Sequence, residues 1–185
     1  WTQNRYALSR RLWRALCVLD MAIIEYENKF KKWDSLSENE RDFFVGDEYL
    51  PLPSDIAERI SVIKGRLSRE LSKELLANVP GISSNINPEH FSKEDICLEN
   101  AWGNTQGTQQ VREWLYKKGI PFSRTVYLVY DRGFTVKTDW KTVVKYWDAF
   151  AWSVGMAMFA IDSSKQWSCE FNHEDYIHFY RYLTN

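Results

Sequence analysis

The stretch GMAMFAIDSSKQWSCEFN, residues 155–172, decides the fold class of this 185-residue chain. Two apolar and aromatic runs flank the short polar turn SSK, a pattern that predicts an antiparallel β-hairpin. Side chains alternate between the two faces of a strand. The residues predicted to face the core are Trp167, Cys169 and Phe171, and those predicted to face water are Gln166, Ser168, Glu170 and Asn172. Cys169 is therefore expected to be a small buried hydrophobe and not a nucleophile.

The sequence before this hairpin predicts further elements of a sheet with covering helices. RTVYLVY, residues 124–130, is a β-branched and aromatic run typical of a buried strand. TQQVREWLYKKGIP, residues 108–121, has its apolar residues on one helical face and ends at Gly119. TDWKTVVKYWDAFA, residues 138–151, has helical spacing after a Thr138 cap and is predicted to cover the sheet.

The first part of the chain is predicted to be helical. Apolar residues recur every three or four positions from Tyr6 to about Trp33, which indicates a long helix. SENE, residues 37–40, has the form of a capping box and predicts a short helix. Ser54 is expected to cap another helix, and these helices can form an antiparallel hairpin. The apolar stripe of that last helix consists of Ile56, Ile60, Ile63, Leu67, Leu71 and Leu75.

The predicted fold is α+β, with an N-terminal helical hairpin packed on a small C-terminal antiparallel or mixed sheet with covering helices. The helical portion covers residues 1–78 and the α+β portion covers residues 108–185. Residues 79–107 are rich in Pro, Gly, Asn and Ser without clear periodicity, and are predicted to be an irregular linker. The three parts are expected to form one compact unit.

Composition narrows the classes of function. The formal net charge of −1 lacks the basic excess of a dedicated nucleic-acid binder. The longest apolar run, residues 16–24, is too short to span a bilayer and contains Asp20. No leader pattern is visible, and three scattered cysteines favour a reducing compartment, so a cytoplasmic location is expected. Aromatic residues make up 16% of the chain; most are expected in the core, with a few left for a partner surface.

Metal and phosphate motifs do not fit the spacing of the residues that could form them. In HEDYIH, residues 173–178, the two histidines are five apart, and this separation puts them on opposite faces of a strand and far apart around a helix. The His-Glu-x-x-His zinc motif needs a separation of four. GNTQGT, residues 103–108, lacks the Lys-Ser/Thr pair of a phosphate loop. No metal or cofactor is therefore expected.

A hydrolase or nuclease remains an alternative function. Glu170, Glu174 and Asp175 could serve as cation ligands or as an acid and base pair beside the C-terminal histidines. Such catalysis requires a second wall of complementary groups that converge on the same place. The alternative is therefore a metal-dependent or acid/base-dependent hydrolysis at the acidic and histidine cluster.

Residues 156–180 contain a strand ending in IDSS, then QW, then a strand ending in NHED and an aromatic tail. This pattern resembles the C-terminal part of bacterial immunity-type proteins from polymorphic or contact-dependent toxin systems. The resemblance implies a stoichiometric protein-binding module that occludes the active site of a cognate toxin, without catalytic residues of its own.

The acidic end of the closing hairpin is the predicted partner-binding surface. Toxins that act on nucleic acid have cationic clefts, so acidic groups with exposed tyrosines complement them. The expected partner is a cationic nuclease-type toxin, and neither a membrane nor nucleic acid is expected. The predicted partner-binding residues are Asp162, Glu170, Glu174, Asp175, Tyr176 and Tyr180.

Overall fold

A computed structural model describes residues 23–45, 51–82, 87–99, 101, 104–152 and 157–183. Helix α1 includes residues 23–27. The later helices are α2 (Glu38–Val45), α3 (Ser54–Ala57), α4 (Gly65–Leu76), α5 (Thr105–Tyr116), α6 (Trp140–Lys145) and α7 (Trp147–Trp152). The strands are β1 (Lys31–Lys32), β2 (Ser61–Lys64), β3 (Phe91–Cys97), β4 (Thr125–Tyr130), β5 (Phe134–Asp139), β6 (Ala157–Ile161), β7 (Trp167–Asn172) and β8 (Tyr176–Tyr182).

All described strands belong to one sheet with the order β1-β2-β5-β4-β6-β7-β8-β3. Each neighbouring pair is antiparallel. The α+β class is confirmed, as is the hairpin of β6 and β7. The sheet is larger than predicted, because β1, β2, β3, β5 and β8 are not among the predicted strands.

The larger core lies on one face of the sheet, beneath α3, α5, α6 and α7. Trp140 and Trp147 are fully buried there. The Trp167 ring meets that of Trp140 edge to face at 5.3 Å and stacks on Phe179 at 5.9 Å, so a ladder of aromatic rings fills the space between strands and helices. Eleven of the described aromatic residues are buried, and Trp114 and Tyr146 pack against this core while partly exposed.

A second, smaller core lies on the opposite face, beneath α4. Leu71 and Leu75 of this helix are fully buried against Ile63, Tyr127 and Val129. A buried hydrogen bond also links α4 to β5, since Ser68 Oγ lies 2.9 Å from Thr135 Oγ1. The central sheet is therefore covered on both faces, which explains why Ser168 is fully buried although the hairpin pattern predicts that it faces water.

The continuous apolar stripe predicted after Ser54 is wrong at residues 61–64, which form β2. Val62 packs in the first core and Ile63 in the second. A strand buries adjacent residues on opposite faces, whereas a one-sided helical stripe cannot. Gly65 then starts α4 with φ +66°, a conformation that separates strand from helix.

The predicted N-terminal hairpin is not confirmed. Residues 1–22 lie outside the described residues, and the helix expected to reach Trp33 has ended before β1. Lys31 and Lys32 pair with β2, and the Trp33 amide donates to the carbonyl of Ile60 at 3.2 Å. Trp33 then begins a single 3-10 turn, Trp33–Ser35, and its side chain is buried there.

The predicted linker of residues 79–107 contains ordered elements. Phe91–Cys97 forms β3, which pairs with β8 at every one of its seven residues. Most of its side chains are partly or fully exposed, so an edge strand of this kind leaves no apolar periodicity in the sequence. Helix α5 also begins inside this range, at Thr105, where Asn104 Oδ1 accepts from two backbone amides.

Two of the predicted helix-end signals are confirmed, and the third, the cap of α6, lies one residue after its predicted position. Glu40 Oε2 accepts from the Ser37 amide at 2.8 Å, which is the carboxylate half of the predicted capping box. Gly119 has φ +69° after α5, as the predicted helix stop requires. Helix α6 is capped by Asp139 and not by Thr138, because Asp139 Oδ1 accepts from the Thr142 amide at 2.8 Å.

Among the described helices, none is long and apolar enough to cross a membrane.

The α4 contact predicts unequal costs for two leucines on the same helix. Leu71 is fully buried, whereas Leu67 is 40% exposed. Leu71→Ala should lower the free energy of unfolding by about 2 to 5 kcal/mol through lost burial and a cavity. Leu67→Ala should change it by about 0.5 kcal/mol or less. Urea denaturation measures both, and equal losses would contradict the second core.

The Glu40 contacts predict a pH dependence of stability. The hydrogen bond from Lys64 and then those from Ser37 lower the pKa of Glu40 to about 2. Because the folded-state pKa is lower than the ordinary value of 4.5, this stabilisation is present above that value and is lost as the pH falls toward 2.

Between about pH 6 and about pH 3, the wild type should therefore lose more unfolding free energy than Glu40→Gln. Urea unfolding at both pH values measures the difference. Glu38→Gln, on the same helical turn, is the matched control and should keep the wild-type slope. A Glu40→Gln slope equal to that of the wild type would refute this role.

Candidate functional site

The six predicted partner-binding residues are spread along the closing strands and do not lie at one end. Asp162 directly follows β6, whereas Glu174 and Asp175 lie in the turn between β7 and β8. Strand β7 separates these places and has six residues, which corresponds to about 20 Å at the usual rise of a strand. The structure does not bring Asp162 together with Glu174 and Asp175.

Asp162 is also a buried residue with partners of its own. It is 2% exposed. Its Oδ1 accepts from the amide and the hydroxyl of Ser164, and its Oδ2 lies 3.4 Å from Arg124 Nε. These contacts hold the β6–β7 turn, so the prediction that Asp162 belongs to an exposed acidic surface is corrected.

The other residues lie around a polar row on the face of the sheet that carries the smaller core. The strand register pairs Glu170 with His178 and His178 with Asp95. Paired residues of neighbouring strands lie side by side on one face. Asp95 could not have been found from sequence, since it lies 83 positions from His178 in a strand without an apolar pattern.

Side-chain hydrogen bonds fix the His178 ring. Its Nδ1 lies 2.7 Å from Asp95 Oδ1, and its Nε2 lies 3.0 Å from Asn172 Nδ2. Asn172 Oδ1 accepts from the amides of Glu174 and Tyr176, so its Nδ2 must be the atom that donates to the ring. The network therefore assigns the His178 hydrogen to Nδ1, from which it is donated to Asp95.

This network orients groups and does not leave an imidazole nitrogen available for proton transfer. A general base needs a nitrogen lone pair within reach of the substrate, and Nε2 of His178 is already paired with Asn172. Among the described residues, no group of three or more His, Cys, Asp or Glu side chains could hold a metal ion. Cys169 is fully buried, and burial raises the pKa of its thiol, so it behaves as a core residue as predicted.

Tyr176 is the exposed aromatic residue of this region, with 40% of its surface accessible. Its ring lies nearly parallel to that of His178, with the centroids 5.8 Å apart. The neighbouring Cys97 contributes most to the raised pKa of Tyr176, and the negative charges of Glu99 and Asp95 add to it. The Tyr176 ring therefore stacks on the His178 ring, which hydrogen bonds hold in place, and acidic groups lie beside it.

We call this region the acidic end of the sheet. It consists of Asp95, Glu99, Glu170, Glu174, Asp175, Tyr176 and His178. Burial alone would raise the pKa of Asp95, but hydrogen bonds from His178 and Lys93 lower it below its ordinary value. Asp95 therefore remains a carboxylate. Asn172 is the positioning residue that sequence reasoning missed, although an Asn directly before a polar turn is a known turn signal.

Tyr180 marks the boundary between the covered and the open parts of this face. It is 8% exposed, unlike Tyr176 four residues earlier on the same side of β8. Burial, and then the charges of Glu170 and Asp95, raise its pKa to about 12. The segment after α4 covers it, since Ser168 Oγ donates to the Pro80 carbonyl at 2.6 Å and Tyr182 Oη donates to the Asn78 carbonyl. Tyr180 is thus a buried support, not the exposed contact that was predicted.

Comparison of the chain with protein-family models, with curated proteins and with solved structures gives no match in any of the three.

The contact between Gly81 and Tyr180 predicts a cost beyond backbone strain. Gly81 has φ +82°, and an added Cβ would lie 2.5 Å from the Tyr180 ring, whereas a Cβ at Gly119 would meet nothing within 4 Å. Gly119→Ala should cost about 1 to 2 kcal/mol for its left-handed backbone. Gly81→Ala should cost about 1 to 3 kcal/mol more through overpacking. Equal losses in urea denaturation would show that the segment after α4 does not press on Tyr180.

Proposed function

We propose that this chain is a stoichiometric protein-binding module, an immunity-type protein that neutralises a cognate bacterial toxin by occluding its active site. The observation that carries the proposal is the pairing of the exposed Tyr176 with the hydrogen-bonded His178 inside the acidic end of the sheet. The resemblance of residues 156–180 to such proteins supports the same function.

The geometry suits a binding anchor. Aromatic side chains held in one orientation lose little conformational freedom on binding, so more of their contact energy appears as affinity. The Tyr176 amide donates to Asn172 Oδ1, and the Tyr176 ring stacks on His178, which Asp95 also holds. Tyr176 is thus fixed at both its backbone and its ring before a partner arrives.

The charge of this region indicates the kind of partner. Carboxylates of β3, β7 and the β7–β8 turn surround Tyr176, and Lys93 is an adjacent cation that lies 3.3 Å from Asp95. An acidic surface attracts a cationic cleft and raises the association rate. Enzymes that cleave nucleic acid need such a cleft to hold phosphates, so a nuclease-type toxin is the partner that we propose.

The proposed location is the cytoplasm, where an immunity protein would meet a toxin that acts on nucleic acid. Cys97 is exposed and Cys169 is buried, and both are free thiols. Free cysteines of this kind are typical of proteins in a reducing compartment.

The hydrolase or nuclease alternative has less support. It needs an imidazole or carboxylate free to exchange a proton with a substrate, in a concave site with complementary groups. His178 is engaged at both ring nitrogens, and Tyr176 lies exposed beside it at the acidic end of the sheet. This arrangement presents a surface and does not enclose a substrate.

The decisive experiment uses the protein encoded next to this chain. Co-expression of this chain should restore the growth of cells that make that protein, and the two purified proteins should form a 1:1 complex in which the toxin is inactive. Toxicity that persists despite a full complement of this chain, together with no complex by calorimetry, would overturn the proposal.

The acidic end predicts separate effects on association and dissociation. Glu174→Lys should slow association several-fold and weaken its salt dependence, because it reverses a charge that steers the partner. Tyr176→Ala should mainly speed dissociation and cost about 1 to 3 kcal/mol of binding free energy. Surface plasmon resonance at two salt concentrations measures both rates.

Matched controls lie on other elements, outside the acidic end of the sheet. Glu58→Lys changes an exposed residue just after α3, and Tyr116→Ala removes a tyrosine at the end of α5 that is 62% exposed. Both should leave the kinetics unchanged. If Glu174→Lys and Tyr176→Ala bind as the wild type does while the complex still forms, the toxin must use another surface.

A further inference from the structure

A cavity of about 420 Å³ lies at the end of the sheet opposite to the acidic end. Its walls come from the segment after α5, the residue before β4, the β6–β7 turn and the last residues of β8. The β6–β7 turn lies at the start of β7, whereas the acidic turn lies at its finish. The cavity is therefore separate from the surface proposed to bind a toxin.

Arg124 lines the cavity, and the Nε atom of its guanidinium group contacts Asp162. Its Nε lies 3.4 Å from Oδ2 of the buried Asp162, and its backbone amide donates to the Pro121 carbonyl. Neither of its two terminal nitrogens has a hydrogen-bond partner among the described residues. The side chain is 46% exposed, so these donors are accessible from the cavity.

Arg181 supplies a second guanidinium group to the same cavity. Its Nη2 donates to the Lys118 carbonyl, and its central carbon lies 5.2 Å from the centroid of the Phe179 ring. The hydrogen bond and the ring contact set the position of this group before any ligand binds. Two oriented guanidinium groups thus line one cavity.

The charges of the lining residues do not balance. Asp162 is the acidic residue in the lining, against Arg124 and Arg181. Its carboxylate is already used, because Oδ1 accepts two hydrogen bonds from Ser164 and Oδ2 faces Arg124. The lining therefore carries an excess positive charge and unused guanidinium donors.

The rest of the wall is largely apolar and aromatic, with Ser164 and Gln166 as its uncharged polar side chains. Ile120, Pro121, Trp167 and Tyr182 contribute to it. Trp167 is held from behind by the stacked Phe179 and by Trp140, so its position in the wall is fixed. Small-molecule sites combine apolar walls with a few placed polar groups in this way.

We propose that this cavity binds a small organic oxyanion, a carboxylate or a phosphate monoester attached to a flat apolar group. The oxyanion accepts from Arg124 and Arg181, since guanidinium groups match the planar geometry of such anions and give strong charge-assisted hydrogen bonds. The flat group lies against the wall formed by Trp167 and Pro121. This site goes beyond the proposed toxin binding and does not depend on it.

Ligand-observed NMR on the full chain tests the site with four probes: benzoate, phenyl phosphate, inorganic phosphate and the neutral benzamide. Benzoate or phenyl phosphate should bind saturably with a Kd on the order of 1 mM or tighter. Benzamide should bind at least about tenfold more weakly, which corresponds to the loss of a charged hydrogen-bond partner. The tighter of benzoate and phenyl phosphate identifies the anion, and inorganic phosphate measures the contribution of the apolar wall.

The variants assign the binding to this cavity. Arg124→Lys keeps a cation beside Asp162, so the fold should persist, but it removes the planar donors and should weaken binding about tenfold. Arg181→Gln should weaken it by a similar factor. Arg66→Gln is the matched control, because this arginine is 86% exposed on α4 and should leave binding unchanged. Circular dichroism confirms that each variant is folded.

Three outcomes would overturn the proposal. The first is no saturable binding of any anionic probe up to roughly 10 mM, well above the expected Kd. The second is equal binding of benzamide and benzoate. The third is an equal loss in Arg66→Gln and in a folded Arg124→Lys. None of these outcomes bears on toxin neutralisation, so failure of this site and failure of the proposed function are distinguishable.

Discussion

The burial of β4 on both faces is the constraint on which the rest of the structure depends. Every residue from Val126 to Tyr130 is buried, with alternate side chains in the larger and the smaller core. One layer of helices cannot cover both faces, so α4 must pack on the side opposite to α5, α6 and α7. The two buried tyrosines need polar partners. Tyr130 Oη donates to the Phe150 carbonyl at 3.0 Å, and Tyr127 Oη lies 3.2 Å from a Glu27 carboxylate oxygen, so Tyr130 joins β4 to α7 and Tyr127 joins it to α1.

The candidate site follows from where that second layer stops. Helix α4 ends at Leu76, and Lys165 from the β6–β7 turn donates to the carbonyls of Glu74 and Ala77 at its last turn. A lysine there stabilises the carbonyl end of the helix. The chain then passes over Ser168 and Tyr180, and farther along the same face the strands carry Glu170, His178 and Tyr176. The polar row therefore lies on the part of this face that α4 and the segment after it do not cover.

Sequence predicts the parts of this fold whose signal is local. The hairpin of β6 and β7, strand β4 and the stop of α5 follow from strand-like runs, from a polar turn between two of them and from a glycine, and all are confirmed. The strand β2 is missed because Ile56, Ile60 and Ile63 continue a helical stripe, and only pairing with β5 selects the extended form. The strand β3 is missed because an exposed edge has no apolar period. The same distinction applies to the site residues. The local sequence of the closing hairpin predicts the positions of Tyr176 and Glu174, whereas Asp95 and Arg124 reach theirs only through contacts between distant parts of the chain.

Net charge is a poor guide to the surface of this protein. The chain carries −1 overall, yet the β6–β7–β8 meander separates charge along its length. At the β7–β8 turn, Glu174 and Asp175 extend a row of carboxylates. At the other end, Asp162 is buried, and its carboxylate contacts Ser164 of its own turn and Arg124. The two arginines at that end, Arg124 and Arg181, therefore outnumber the acidic side chains that line the cavity. Sequence alone assigns all the acids of this meander to one surface. That end carries two arginines against this one buried aspartate and is therefore positive, and this is why the two ends are suited to partners of opposite charge.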